Sequence, residues 1–240
     1  MTKLAMTITY QVKNAIYVNL TNRCPCACTF CLRNNSDGVY GSPRLWLERE
    51  PTLDEVIASL EEWEWTTASI PHSPSATHHS SLITHHSSLI AHHSSLITHH
   101  FSECVFCGYG EPTERLDLLL SAAAHMKSAH PAVRIRVNTN GLSDLINGRD
   151  TAPLFTGKVD CISISLNTDD PAEYLAVCRP KFGDAAYPAM LEFAANAAKC
   201  VPSVVMTVVG EPITSLEKQA RCREIATRLG ASLRVRPYEE

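Results

Sequence analysis

Short runs in which apolar and polar residues alternate recur along the chain, and longer stretches with apolar positions every three to four residues separate them. The first convincing strand is Ile16 to Leu20, after a brief β-like stretch from Thr7 to Val12 that reads as a lead-in or edge strand. Five more strands follow at Cys104 to Cys107, Val133 to Asn138, Val159 to Leu166, Ser203 to Val209 and Ser232 to Arg236. Thr52 to about Trp65 predicts a helix, with Thr52 and Glu55 spaced as a capping box and Val56, Ile57, Leu60 and Trp63 on one face. Further helices are expected over Leu116 to Ser128, around Ser143 to Ile146, over Pro171 to Ala198 with breaks near Pro180 and Pro188, and over Ser215 to Leu229 up to Gly230. Strands alternating with helices imply βαβ units, parallel pairing and right-handed crossovers. The expected fold is α/β, a partial (β/α)6 TIM-like barrel with function where the strands end.

One stretch breaks this rhythm. From about Thr66 to His100, between the first helix and the strand at Cys104, the segment Ser80 to His86 recurs as Ser87 to His93, with Ala91 as the one change, and again as Ser94 to His100. Seven-residue copies are too short for a solenoid, so residues 66–100 read as a low-complexity, disordered insertion in a single domain spanning 1–240. Its histidine pairs at 78–79, 85–86, 92–93 and 99–100 can hold a transition metal adventitiously, so retention on nickel resin says nothing about function. Because it joins a helix to a strand, it should hang from the face opposite the chemistry.

Strand parity predicts what the barrel encloses. Arg134, Arg136 and Asn138 alternate with Ile135 and Val137; Cys161, Ser163, Ser165 and Asn167 alternate with Ile162, Ile164 and Leu166. Arg234 and Arg236 alternate with Leu233 and Val235, as Asn19 and Thr21 do with Val18 and Leu20. Successive side chains on a strand point to opposite faces. The apolar set should therefore lie under the helices and the polar set line the lumen. Such a lumen suits a polar or anionic ligand, since guanidinium matches carboxylate and phosphate. The competing expectation is that the arginines pair with acidic groups at the barrel floor.

Composition narrows the class. A chain of 240 residues that is 45% hydrophobic and 19% charged is an ordinary globular protein, and its net charge of −4 gives no broad nucleic-acid footprint. The ten cysteines lack the density of a small secreted disulfide framework, and the first residues do not form a basic and apolar leader, which predicts a cytoplasmic chain with reduced thiols. No run approaches the ~20 apolar residues needed to cross a bilayer.

The candidate chemistry begins at Cys24-Pro25-Cys26-Ala27-Cys28-Thr29-Phe30-Cys31, directly after the first convincing strand. Cys24, Cys28 and Cys31 have the spacing C-x3-C-x2-C; Cys26 falls outside it and reads as a bystander. A cubane iron–sulfur cluster normally takes four thiolates, so a set of three implies one iron open to a ligand. Open positions distinguish catalytic metal sites from closed structural ones. A structural zinc ion using Cys24, Cys28, Cys31 and a thiol from Cys104 or Cys107 is an alternative, and a set of inert buried thiols is another. After the strand at Cys104 comes Gly108-Tyr109-Gly110-Glu111-Pro112, and after that at Val133 comes Thr139-Asn140-Gly141.

The cysteine spacing, with Phe30 before the last cysteine, resembles the signature of the radical S-adenosylmethionine (SAM) superfamily. Gly108 to Pro112 is similar to that family's Gly-Gly-Glu-Pro motif. The resemblance runs from Tyr17 to Arg236 outside the insertion, and in detail looks like the TatD-linked radical SAM subgroup. It implies a [4Fe-4S] cluster on Cys24, Cys28 and Cys31 whose open iron chelates SAM. An electron from a donor such as flavodoxin or ferredoxin then splits SAM to a 5′-deoxyadenosyl radical, which abstracts hydrogen from a substrate. It further implies that Phe30 lies beside the cofactors, that Tyr109, Gly110 and Glu111 meet the SAM amino group, and that Asn138, Asn140, Ser163 and Ser165 contact SAM. Val205, Thr207 and Val209 would complete an adenine-side wall, or are equally ordinary core. Cys178, in Cys178-Arg179-Pro180, offers either a thiol to the reaction or an inert buried side chain. A functional link to a TatD-type hydrolase would follow from the subgroup. Radical SAM methyltransferases share the Gly-x-Gly-Glu-Pro form but would want an acceptor cysteine in a C-terminal loop, where this sequence stops at Glu240. A glycyl-radical activase is the other enzyme alternative, and a non-catalytic zinc-binding or interaction module is the alternative outside catalysis.

Overall fold

A computed structural model of the chain describes residues 6–34, 37–38, 41–42, 44–67 and 100–238. Strands β1 (Thr9–Val12) and β2 (Ala15–Val18) form an antiparallel hairpin, with Tyr10 opposite Tyr17 and Lys13 in the turn at φ 54°. From β2 onward the strands β3 (Glu103–Phe106), β4 (Arg134–Thr139), β5 (Cys161–Ser165), β6 (Ser203–Val209) and β7 (Ser232–Arg236) pair in parallel, each with its neighbour in sequence. The result is the expected α/β partial barrel of six parallel strands, with the Thr7–Val12 stretch as its antiparallel edge. The crossovers carry α1 (Leu53–Glu61), α2 (Leu116–Ala129), α3 (Ser143–Asn147), α4 (Pro171–Cys178), α5 (Ala186–Cys200) and α6 (Leu216–Arg228).

Period-two patterning explains the layers. Ile135 and Val137 on β4, Ile162 and Ile164 on β5, and Met206 and Val208 on β6 are fully buried in one cluster with Leu119 and Met126 of α2, Met190 and Phe193 of α5, and Ala226 of α6. Burying an aliphatic or aromatic side chain stabilises by roughly 1.5–3 kcal/mol, so this face fixes the register. A shift of one residue would drive Arg134 and Arg136 into the helices.

Helix ends follow local chemistry. The capping box of α1 forms as the spacing predicts, Thr52 accepting from the Glu55 amide and the Glu55 carboxylate accepting from the Thr52 amide. The helix stops at Glu61, short of Trp65, because the Leu60 carbonyl accepts instead from the Trp63 amide (3.3 Å) and the Trp65 indole (2.9 Å). The break expected at Pro180 is present, with Arg179 in left-handed conformation at φ 47°. The break expected at Pro188 is absent. That proline lies in the first turn of α5, where a helix has no use for its missing N–H.

The described chain on either side of residues 68–99 comes together at the strands' N-terminal end. Phe101 donates to the Glu64 carbonyl (2.8 Å) and accepts from Thr66 (3.0 Å), and Trp65 bridges Phe101 in parallel. The histidine repeat lies outside the described residues. No described helix is long and apolar enough to cross a membrane.

Two substitutions should separate the layers energetically. Phe193→Ala, which empties a fully buried site facing Phe155, should cost about 3–5 kcal/mol, whereas Thr52→Ala should cost about 1 kcal/mol through loss of the cap. Urea denaturation midpoints followed by circular dichroism will rank them.

Candidate active site

The cysteine loop is held in place before its first sulfur. Asn19 donates to the Leu45 carbonyl (2.7 Å), and Asn22 exchanges bonds with the Leu47 backbone (2.7 and 3.1 Å). Thr21 donates to Glu50 (2.7 Å), which also receives Arg23 (2.8 Å) and Arg115 (2.7 Å). Burial works to raise the Glu50 carboxyl, but Thr21, Arg115 and Arg23 outweigh it and hold it below its ordinary value. This corrects the parity reading at one point. Asn19 and Thr21 do turn away from the helices, but the segment from Leu45 to Glu50 covers them, and at 0% and 1% exposure they do not line open lumen.

Past Cys24 the loop docks backbone to backbone on the end of α4. Ala27 donates to the Cys178 and Arg179 carbonyls (3.1 and 3.3 Å), Thr29 to Val177 (2.9 Å), and Lys181 to Pro25 (2.8 Å). Cys178 is thereby brought against Cys28, and Asn167, left-handed at φ 65°, donates to the Cys178 sulfur (3.2 Å). Cys26 is likewise no bystander in space, since its one S–H lies against the Cys24 and Cys28 sulfurs and can serve either of them. The Cys178 bond, then that from Cys26, lowers the Cys28 thiol to about 3, and the Cys26 bond lowers Cys24. Cys26 and Cys178, as the donors, are raised, and burial raises Cys31. Thiolates are the form that binds metal. The Cys-Arg-Pro break was the sequence signal for Cys178, although nothing in it named the partner.

Of the two thiols that the zinc alternative offered, Cys107 lines the cavity described below with Cys28 and Cys31, whereas Cys104 does not. Cys104 is fully buried on the helix-facing side of β3. Among the described residues no three Cys, His, Asp or Glu side chains gather as a single metal ion would require.

After β3 the Gly-Tyr-Gly-Glu turn runs against the start of the cysteine loop. A Cβ on Gly108 would fall 2.0 Å from the Asn19 side-chain oxygen, and one on Gly110 would fall 2.2 Å from the Thr21 carbonyl and 2.6 Å from that of Arg23. Glu111 donates from its amide to Arg23 (2.8 Å). Its buried carboxylate accepts from Thr113 (amide 3.2 Å, hydroxyl 2.8 Å), the Thr139 hydroxyl (2.7 Å) and the Asn140 amide (2.7 Å). Burial raises the Glu111 carboxyl against the pull of these donors. Tyr109 packs edge-on to Trp46 at 5.2 Å and lines the cavity described below. The Asn140 amide nitrogen stands 3.8 Å from the Cys26 sulfur and 4.0 Å from that of Cys24, so two rim loops meet at the thiols.

The lumen holds a cavity of about 1190 Å³, lined among others by Cys28, Phe30 and Cys31 of the loop and by Cys107, Asn138, Asn167 and Val209. Ser163 lies just behind it, accepting from Arg234 (3.2 Å); Ser165, Val205 and Thr207 do not reach its wall. The arginines divide. Arg136 pairs with Glu103 through two bonds (3.0 and 2.9 Å), and Arg134 lies 4.0 Å from the same carboxylate, while Arg234 and Arg236 have no carboxylate partner among the described residues. Burial works against the charge on Arg136, but Glu103 outweighs it and raises the guanidinium; burial, then Arg136 and Arg236, lowers Arg234. Phe30, Leu32, Ile213 and Tyr238, four of the five exposed large apolar side chains among the described residues, also line the cavity.

The fold superposes on the crystal structure of Streptococcus suis SuiB bound to precursor peptide SuiA, with a TM-score of 0.58 over 93% of this chain at 12% sequence identity. The chain spans 39% of the length of that SuiB chain. A radical SAM methyltransferase from Sphaerobacter thermophilus aligns over 97% of this chain and 69% of its own, at 14% identity and a TM-score of 0.49. No family model and no curated protein matches the sequence. The likeness to SuiB is one of fold, a mostly parallel sheet curved into a partial barrel.

Glu111→Gln tests the rim junction. An amide has one acceptor oxygen, so its NH2 must face either the fixed Asn140 N–H or the threonine donors, and the variant should lose about 1–3 kcal/mol. Gly110→Ala should lose more, because the obstructing atoms are backbone. Thermal and urea unfolding will read both.

Proposed function

We propose that the chain is a radical SAM enzyme that holds a [4Fe-4S] cluster on Cys24, Cys28 and Cys31, binds SAM along the rim, and abstracts hydrogen from a polar or anionic substrate in the lumen. The observation that carries this reading is that the C-x3-C-x2-C loop opens into the same cavity as the polar strand face, beside the Gly-x-Gly-Glu-Pro turn. The donor set fits a cluster. It consists of soft thiols, two of them favoured as thiolates by thiol hydrogen bonds, with no histidine or carboxylate interleaved. When bound, the cluster and SAM supply a one-electron cleavage that no side chain can perform.

The chain's own residues position and insulate. The backbone bonds to α4 fix the cysteine loop, and the Asn140 amide and the Cys26 and Cys178 thiols surround its sulfurs with donors, the kind of surroundings that tune a metal site. Glu111 holds Asn140 through its backbone, and its own carboxylate is already engaged by protein donors. In this reading Tyr109, Gly110 and Asn138 offer SAM their backbone and amide groups, Phe30 covers it, and Ser163 and Ser165 support the wall behind. A flavodoxin or ferredoxin supplies the electron, and the resemblance to the TatD-linked subgroup carries the proposed link to a TatD-type hydrolase. SuiB is known bound to a precursor peptide, and the apolar mouth over a basic lumen here would suit a peptide substrate as well as a small anion.

Anaerobic purification tests the reading. The expected result is a brown protein with about four irons per chain that releases 5′-deoxyadenosine from SAM after dithionite reduction. Cys24→Ser, Cys28→Ser and Cys31→Ser should each abolish both, and Cys200→Ser neither. Colourless protein with stoichiometric zinc would instead mark a non-catalytic module.

A further inference from the structure

The lumen is far more basic than the chain that builds it. With a net charge of −4 overall, the protein lines this cavity, among the described residues, with Lys13, Arg33, Arg134, Arg136, Arg234 and Arg236 against the one carboxylate of Glu103. Low-dielectric walls focus such a field and draw anions inward. Among the described residues Glu103 pairs with the β4 arginines, Arg136 by two hydrogen bonds and Arg134 only at 4.0 Å, and reaches neither arginine of β7. Arg234 makes one bond, to the Ser163 hydroxyl, and the Nε of Arg236 is buried without a partner among the described residues.

Two residues apart on one strand, Arg234 and Arg236 share a face with their stems roughly 7 Å apart. Arg234 is exposed to the cavity and Arg236 half-buried, and an oxyanion between two guanidinium forks would gain charge-assisted bonds from both.

We propose that Arg234 and Arg236 form the anion subsite of the lumen, taking a carboxylate or phosphate group of the substrate across the cavity from the cysteine loop. This deepens the radical SAM reading by assigning the substrate an oxyanion and a place, and sets Arg136 apart as a side chain held by Glu103.

Isothermal titration of the full reconstituted chain with inorganic phosphate, and separately with succinate, tests the assignment. Binding of either probe should weaken at least ~10-fold in Arg234→Gln and in Arg236→Gln, stay unchanged in Arg228→Gln on α6, and persist with SAM at saturation; the tighter probe identifies the group. Circular dichroism checks folding. If a glutamine variant does not fold, Arg234→Lys and Arg236→Lys replace it, and the loss of the fork should still weaken binding. The proposal fails if neither probe binds the wild type at 10 mM (about 4 kcal/mol would give 1 mM), if the variants bind as the wild type does, or if SAM displaces the probe, since the pair would then serve the cofactor's own carboxylate. Anion binding without deoxyadenosine release would sink the enzyme reading and leave the subsite standing; release without anion binding would do the reverse.

Discussion

The rim of this barrel depends on one buried carboxylate. Glu111 donates from its amide to the cysteine loop at Arg23 and accepts from Thr113 in its own turn, from Thr139 at the end of β4 and from Asn140 just after it. Three loops that follow three different strands are thus registered on a single residue. A carboxyl group at 4% exposure is tolerable only when its oxygens are satisfied, and here both are. The same bonds set Asn140 near the thiols. The two glycines before Glu111 let the turn lie close enough to Asn19, Thr21 and Arg23 for the junction to form.

A second constraint comes from across the fold. The cysteine loop would be a long, unsupported excursion, were its amides not paired with the last carbonyls of α4, which a helix leaves free. That pairing satisfies both partners at once, and it brings Cys178 to Cys28. Below the rim, Glu103 does comparable work for the β4 arginines. Among the described residues the lumen therefore has a partly neutralised floor and a cationic wall at β7, an asymmetry that any bound molecule must match.

The strands, their order and the facing of β4 and β5 were legible in the sequence because a period of two and a buried apolar face leave little choice. The capping box of α1 was legible for a similarly local reason. What could not be read was non-local or aperiodic. The segment from Leu45 to Glu50 has no period, yet it fills the space that parity assigned to Asn19 and Thr21. Cys26 lies outside the expected spacing, and only the folded loop shows its thiol between Cys24 and Cys28. Pro188 resembles a breaker until the helix start is known. Of the four arginines, the sequence offers no way to tell the pair held by Glu103 from the pair that is not.

The ladder at Trp65 and Phe101 has a practical side. Its bonds close the ends of the interruption whatever lies between them, and the entropy of closing such a loop rises only about 0.6 kcal/mol for each doubling of length. The barrel is accordingly indifferent to cargo at this point, and a reporter domain spliced between Thr67 and His100 would start and end at the strands' entry side, away from the mouth of the cavity.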